Sequence, residues 1–207
     1  MISRSVWPVV LEHGDVRLRP LRRRDGPSWH GLRARNALWL RPWEPTVPEP
    51  GASARGYGHM LRALRREASA GRAMPFAIDY RGRLVGQLTA SGIAWGSLRS
   101  AAVGYWVDQE HAGRGIMPVA VALAVDHCLL TAGLHRIEVN IRPENTASLR
   151  VVEKLGFRDE GLRRDYLHID GAWRDHRTFA LTLEDVPSGL LRELVRGTPG
   201  FGPSPRF

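Results

Sequence analysis

Two groups of residues in this chain have the types and spacing to do chemistry. The first runs from Val103 to Met117. An apolar, aromatic stretch, Val103-Gly-Tyr-Trp-Val-Asp108, leads into Gln109-Glu-His-Ala-Gly113-Arg-Gly115-Ile-Met117, and a helix is predicted to open at Met117-Pro118. Strand, Gly-rich loop and helix N-terminus, in that order, form the geometry that holds a pyrophosphate. Small residues let backbone N–H groups approach the phosphates, and the helix dipole adds partial positive charge there. Two rival loops fit worse. A Walker loop needs Gly-Lys-Ser/Thr, which is absent. A dinucleotide fingerprint needs a third glycine at the position of Pro118.

The second group is Asn145 and Ser148. Arg136 to Ile141 alternates as a strand does, Arg142-Pro143-Glu144-Asn145 forms a turn, and Thr146 to Leu155 is predicted as a short helix with Gly156 at its C′ position. Asn and Ser at this spacing cap helices on many surfaces. The same spacing also lets both side chains point to one place beyond the helix end.

The two groups together resemble the GNAT N-acetyltransferase family. Its coenzyme A loop reads Gln/Arg-x-x-Gly-x-Gly/Ala, against Ala112-Gly113-Arg114-Gly115-Ile116-Met117 here. Gly115 matches the central glycine, Ala112 replaces the Gln/Arg, and Met117 replaces the final small residue. Gly-x-Gly-Ile-Met resembles the RimJ/RimL branch, which acetylates protein N-termini. Asn145-Thr-Ala-Ser148 with Val152-Glu-Lys-Leu-Gly-Phe157, and Tyr166-Leu-His-Ile-Asp-Gly-Ala-Trp-Arg-Asp-His176, carry the resemblance further. It covers roughly Arg17 to Asp185, most densely from Val103 onward.

The resemblance implies acetyl transfer from acetyl-coenzyme A to an amine, with no metal. Ala112, Gly113, Arg114, Gly115, Ile116 and Met117 would cradle the cofactor, and Trp106 would wall the pantetheine arm. The fourth and fifth strands of the expected fold would splay apart after Val107, whose N–H could face the thioester oxygen. Asn145 would hold the pantetheine, and Ser148 would give the leaving thiolate its proton. Elsewhere in the family a tyrosine further along that helix serves; Arg150 to Phe157 contains none. The branch places a base glutamate where Gln109 stands, so Glu110, or a water relay through Glu110 or Asp108, is the candidate base. An α-amine titrates near ~7.7–8.0 and a lysine near ~10.4, so the missing glutamate favours an α-amine acceptor.

Around these residues the pattern predicts the order β-α-α-β-β-β-α-β-α-β-β, a mixed-sheet α/β sandwich of the GNAT type. Val16 to Leu21 alternates as a half-buried strand. Asp25 is the expected N-cap of a helix that turns Trp29, Leu32 and Leu38-Trp39-Leu40 toward the core. Arg41 to Gly51 is Pro-rich and expected to be mobile, with Trp43 over a substrate groove. Ser53 would cap a helix through Ala70 that shows Tyr57, Leu61 and Leu64 on one face. Met74 to Tyr80 and Leu84 to Ala90 are strands about Arg81-Gly82-Arg83. Ala101 to Asp108 is the next strand, Met117 to Ala132 a helix, and Phe157 to Ile169 and Trp173 to Thr182 a hairpin about Asp170-Gly171. One domain is expected over 1–186. Over 187–207 the chain predicts a short helix, Ser188 to Val195, then a disordered tail from Gly197 to Phe207.

At 207 residues the chain can bury about 70% of its unfolded surface in one domain. Cys128 is the single cysteine, expected to be a small core residue rather than a catalytic thiol. His168 and His176 flank a hairpin turn and lack the companions of a metal site. No signal peptide or apolar run of about 20 residues is present, so a cytoplasmic, non-membrane protein is expected. The net charge of +9 is carried almost wholly by arginine, with Lys154 the only lysine. It is either a solvated surface or an attraction to polyanions, coenzyme A and the ribosome among them. The run Arg22-Arg23-Arg24 is too short for a nucleic-acid arm, and no binding motif accompanies it, so no direct nucleic-acid binding is expected. Three functions remain: acetylation of a protein N-terminus, possible on a ribosomal protein; acetylation of a small amine; or a non-catalytic acyl-coenzyme A- or ribosome-binding module. Monomer and homodimer are both open.

Overall fold

Alternation builds the sheet. A computed structural model describes residues 6–49 and 56–197. The strands are β1 (Leu11–His13), β2 (Val16–Pro20), β3 (Ala73–Tyr80), β4 (Arg83–Ala94), β5 (Ser100–Val107), β6 (Arg136–Ile141), β7 (Arg158–Ile169) and β8 (Ala172–Thr182). They form one sheet in the order β1-β2-β3-β4-β5-β6-β8-β7. On β6, Ile137, Val139 and Ile141 are buried while Arg136, Glu138 and Asn140 face the other way. β1, a short edge strand, has no counterpart in the expected order.

The helices are α1 (Gly26–Arg35), α2 (Ala37–Leu40), α3 (Tyr57–Ser69), α4 (Ile116–Asp126), α5 (Thr146–Lys154) and α6 (Leu190–Arg196). α4 packs with Leu18, Phe76, Ile78 and Leu88 on one face of the sheet. Tyr57 and Leu61 of α3 pack with Leu21 and Ala77 on the other, with Trp29 of α1 and Leu64 beside them. α4 is apolar all round because it is covered on nearly every side.

Several expectations shift. The first helix is two: Asn36 interrupts it, its Nδ2 donating to the Leu32 carbonyl at 2.8 Å and to Asp108 at 2.7 Å. The break leaves Leu38 84% exposed, while Leu40 is buried. Asp25 precedes α1 without capping it, because its carboxylate takes the Arg19 guanidinium at 2.7 and 3.0 Å and the Arg22 N–H at 2.7 Å. α4 ends at Asp126 in a π-type turn, His127–Thr131, instead of running to Ala132. Asp126 turns back to accept the Leu190 and Leu191 N–H groups at 2.6 and 3.0 Å, so α6 starts later than Ser188. Arg83 pairs with Tyr80, leaving a two-residue turn of Arg81 and Gly82 at φ +50° and +75°. Ser53, the expected cap, and residues 198–207, most of the expected tail, lie outside the described residues. Among the described residues no helix is long and apolar enough to cross a membrane.

Among the described residues the sheet has one parallel pair, and it matters most. β5 and β6 pair only at Ser100↔Arg136, Ala101↔Ile137 and Ala102↔Glu138. The strands therefore part after Ala102, not after Val107, and Val103 to Val107 run with one edge open. β5 meanwhile stays zipped to β4 from Gly86↔Val107 to Ser91↔Ala102. A parallel pair needs a crossover; here it is α4, reached from the end of β5 through residues 108–115.

Candidate active site

The open edge of β5 presents donors. The Asp108 N–H donates to the Val85 carbonyl at 2.8 Å. The Trp106 carbonyl presses on Gly86 so closely that an added Cβ there would meet it at 2.3 Å. A trans peptide turns the next N–H the other way. The Val107 N–H thus faces the gap, and alternation aims the Tyr105 N–H there too.

The gap leads to the glycine loop. Gly113 and Gly115 stand at φ +73° and +76°, a conformation that favours glycine. A Cβ on either would meet nothing within 4 Å, so the loop backbone borders open space. Gly115 is the N-cap of α4, and the N–H groups of Ile116 and Met117 in the first turn have no intrahelical acceptor. Arg114 is exposed beside them. Ala112 differs from expectation: its N–H is taken by the Gln109 carbonyl at 3.1 Å. The loop fits a diphosphate through 113–117, and the β5 edge fits an extended amide-bearing arm.

At the inner end of the gap, α5 meets β5. The Tyr105 hydroxyl lies 2.7 Å from Ser148 Oγ. Burial pushes the Tyr105 phenol up to about 12, against a smaller opposing effect of the Ser148 bond, so it stays protonated at neutral pH. The Ser148 N–H donates to Asn145 Oδ1 at 3.1 Å. Asn145 is therefore the cap of α5, and among the described residues no hydrogen bond takes its Nδ2 donors. Sequence reasoning gave Tyr105 no catalytic role and missed this contact; β5 and α5 are too far apart in the chain for spacing to show it.

Asp108 is not a relay. Its carboxylate accepts from Arg35 at 2.5 and 3.2 Å and from Asn36 at 2.7 Å, and it pairs with His111 Nδ1 at 2.8 Å. Burial alone would raise its pKa, but the Arg35, Asn36 and His111 hydrogen bonds outweigh it and hold the group well below the usual carboxylate range. Asn36 Oδ1 also accepts the Gln109 N–H at 2.8 Å. Asp108 and Asn36 thus fasten the start of the glycine loop to the α1–α2 corner. Glu110 is exposed, and no hydrogen bond joins it to Ser148 or Tyr105.

On the α1 face the Arg33 guanidinium lies 5.5 Å from the Trp29 ring and 5.4 Å from the Trp106 ring, and pairs with Glu44. The described part of the Pro-rich segment is fastened rather than free. The Thr46 N–H donates to the His168 carbonyl at 2.8 Å, Arg41 reaches Asp170 at 2.8 Å, and Arg142 donates to the Pro42 carbonyl at 2.7 Å and lies over Trp43 at 5.5 Å. His168 Nδ1 meets Thr46 Oγ1 at 2.8 Å, and His176 Nδ1 meets the Arg174 carbonyl at 3.0 Å. Among the described residues no group of three or more His, Cys, Asp or Glu could hold a metal ion. Cys128 is fully buried, and burial pushes its thiol up to about 12.

A mixed sheet parted beside a glycine loop, with hydroxyl donors at the inner end of the gap, defines an acyl-coenzyme A N-acyltransferase. Residues 15–158 match the model of the acetyltransferase (GNAT) domain, and the chain belongs to that family. Mycobacterium smegmatis RimJ, solved in complex with CoA-disulfide, is 40% identical with a TM-score of 0.88, over 94% of this chain and 97% of that one. The [Ribosomal protein uS5]-alanine N-acetyltransferase of Escherichia coli (strain K12) is 34% identical over 75% of this chain and 81% of its own length. "Probable N-acetyltransferase YjcK" of Bacillus subtilis (strain 168) is 43% identical over 50% of this chain; the match spans 57% of YjcK.

Proposed function

We propose that this protein transfers the acetyl group of acetyl-coenzyme A to the α-amine of a protein N-terminus, by direct attack in a ternary complex. One observation carries the reading: the gap that opens beyond Ala102 runs from the 113–117 amides to the Tyr105–Ser148 hydroxyl pair. The likeness to an enzyme named for ribosomal protein uS5 alanine supports the acceptor class.

Bound acetyl-coenzyme A supplies an activated thioester and a thiolate leaving group. The amides from Gly113 to Met117 hold the diphosphate against the positive end of α4. The Val107 N–H faces the developing oxyanion across the gap, and the Tyr105 N–H, about 6.6 Å along the same edge, is left to the amide-bearing arm. Ser148 gives a proton to the departing sulfur, and Tyr105, protonated at neutral pH, holds the Ser148 hydroxyl in line. Asp108, already ion-paired, takes no proton. An α-amine titrating near ~7.7–8.0 is partly neutral at pH 7, so a water at the mouth, beside Glu110, suffices to carry its proton away. That chemistry belongs in the cytoplasm, where acetyl-coenzyme A and new N-termini meet.

The test is acetyl transfer to Ala-leading and Ser-leading peptides beside a panel of small amines. Peptide turnover is expected. Turnover confined to small amines overturns the acceptor, and no calorimetric heat with acetyl-coenzyme A overturns the whole reading.

A further inference from the structure

The sheet face opposite α4 carries an arginine cluster that acetyl transfer does not use. Arg62 and Arg65, three residues apart on α3, share one side of that helix. With Arg23 they line a cleft of about 260 Å³ whose other walls are Tyr57, Gly58 and Leu61, with no carboxylate among them. Arg22 and Arg24, on the same turn as Arg23, line a second cleft of about 530 Å³. The carboxylates of that second cleft are already engaged: Glu12 with Arg17 at 2.8 Å, Asp15 with Arg81 at 2.8 Å, and Asp79 with Arg19 at 2.6 Å. Arg22, Arg23, Arg24, Arg62 and Arg65 therefore remain without an ion pair among the described residues. Among the described residues Arg65 hydrogen-bonds only to the Leu21 carbonyl, at 3.4 Å. Elsewhere in the molecule some arginines, such as Arg41, Arg72 and Arg177, are paired with carboxylates, and others, such as Arg83, Arg114 and Arg150, have no ion pair among the described residues; what marks this face is five such guanidiniums grouped about one turn.

We propose that this surface binds the phosphodiester backbone of a nucleic acid, laid across the Arg22-Arg23-Arg24 turn with phosphates in both clefts. Guanidinium groups match phosphate oxygens in pairs. Two clefts flanking one turn offer successive anion positions, as a backbone presents them. None of the exposed large apolar side chains lines either cleft, so the patch lacks what insertion into a lipid surface requires. The chain's net charge of +9 adds long-range attraction. Three arginines in a row are too few for such a site; the fold adds Arg62 and Arg65 from α3. The proposal is independent of the acetyl-transfer reading.

The experiment uses the full chain and fluorescein-labelled single-stranded RNA, single-stranded DNA and duplex DNA, each about 20 nucleotides long, in anisotropy titrations between about 50 and 200 mM salt. RNA and DNA arms distinguish the two sources of the same backbone; binding to either supports the proposal. For single strands, about four phosphate contacts predict a slope of log K against log salt near −3. Replacing Arg23, Arg62 and Arg65 together by Ala is expected to weaken binding at least about tenfold and to flatten that slope by about 2, with peptide acetylation unchanged. Should the triple variant fail to fold, the exposed-site variant Arg62→Glu must weaken binding by itself. Saturating acetyl-coenzyme A should not displace the strand. No binding at low salt, unchanged binding by the variants, displacement by acetyl-coenzyme A, or tighter binding to polyglutamate or phosphatidylserine vesicles overturns the proposal.

Discussion

The hydroxyls of Tyr105 and Ser148 sit 2.7 Å apart, joining the open strand β5 to the first turn of α5. The pair ties the hydroxyl proposed as proton donor to the edge that would hold the thioester arm. Ser148→Ala is expected to lower kcat by about 10²-fold with little change in acetyl-coenzyme A affinity. Tyr105→Phe removes one hydrogen bond, worth about 1 kcal/mol, and should lower kcat about fivefold. If the two act as a unit, the double variant is no slower than Ser148→Ala, which steady-state kinetics will show.

Gly115 holds φ +76° at the head of α4. An alanine there has room for its Cβ but pays about 1–2 kcal/mol for the left-handed conformation. Gly115→Ala should raise the Kd for acetyl-coenzyme A by calorimetry, roughly tenfold if all the strain appears in the bound loop, while acceptor KM stays put.

Asp108 is the buried carboxylate that fastens the loop, and its folded pKa is depressed. A depressed carboxyl pKa stabilises the fold above its unfolded value of about 3.9 and loses that contribution as pH falls through the folded value. Asp108→Asn should therefore cost about 1–3 kcal/mol at pH 5–8, with Arg35 half exposed and able to find water. The difference between the two proteins in denaturant melts should begin to shrink below about pH 4 and close only below the folded value.

Arg19 is 7% exposed and joins Asp25 at 2.7 Å and Asp79 at 2.6 Å. Arg19→Ala leaves two buried carboxylates facing each other, so a loss of about 3–5 kcal/mol is expected in urea unfolding. Arg19→Met together with Asp25→Asn and Asp79→Asn should recover part of it.

The Cys128 thiol is fully buried with its pKa raised to about 12. Ellman's reagent should leave it untouched in the native protein and titrate one thiol in denaturant. Rapid native labelling would contradict the packing of the α4 extension.

The sequence by itself determined what depends on neighbours along the chain. Gly113 and Gly115 marked a loop of small residues before a helix, alternation in 136–141 set which side chains face the core, and Asp170-Gly171 marked a hairpin. These were legible because a few adjacent residues decide backbone dihedrals and strand facing. Tertiary structure alone decided where β5 leaves β6, since Ala102 and Glu138 close that ladder across the α4 crossover. It also decided that Asp108 answers to Arg35 and Asn36 and not to an acceptor, that Tyr105 meets Ser148, and that Arg62 and Arg65 stand beside Arg23. Each of these joins side chains from separate elements. Their meeting is set by how helices and sheet pack, and no spacing along the chain carries that information.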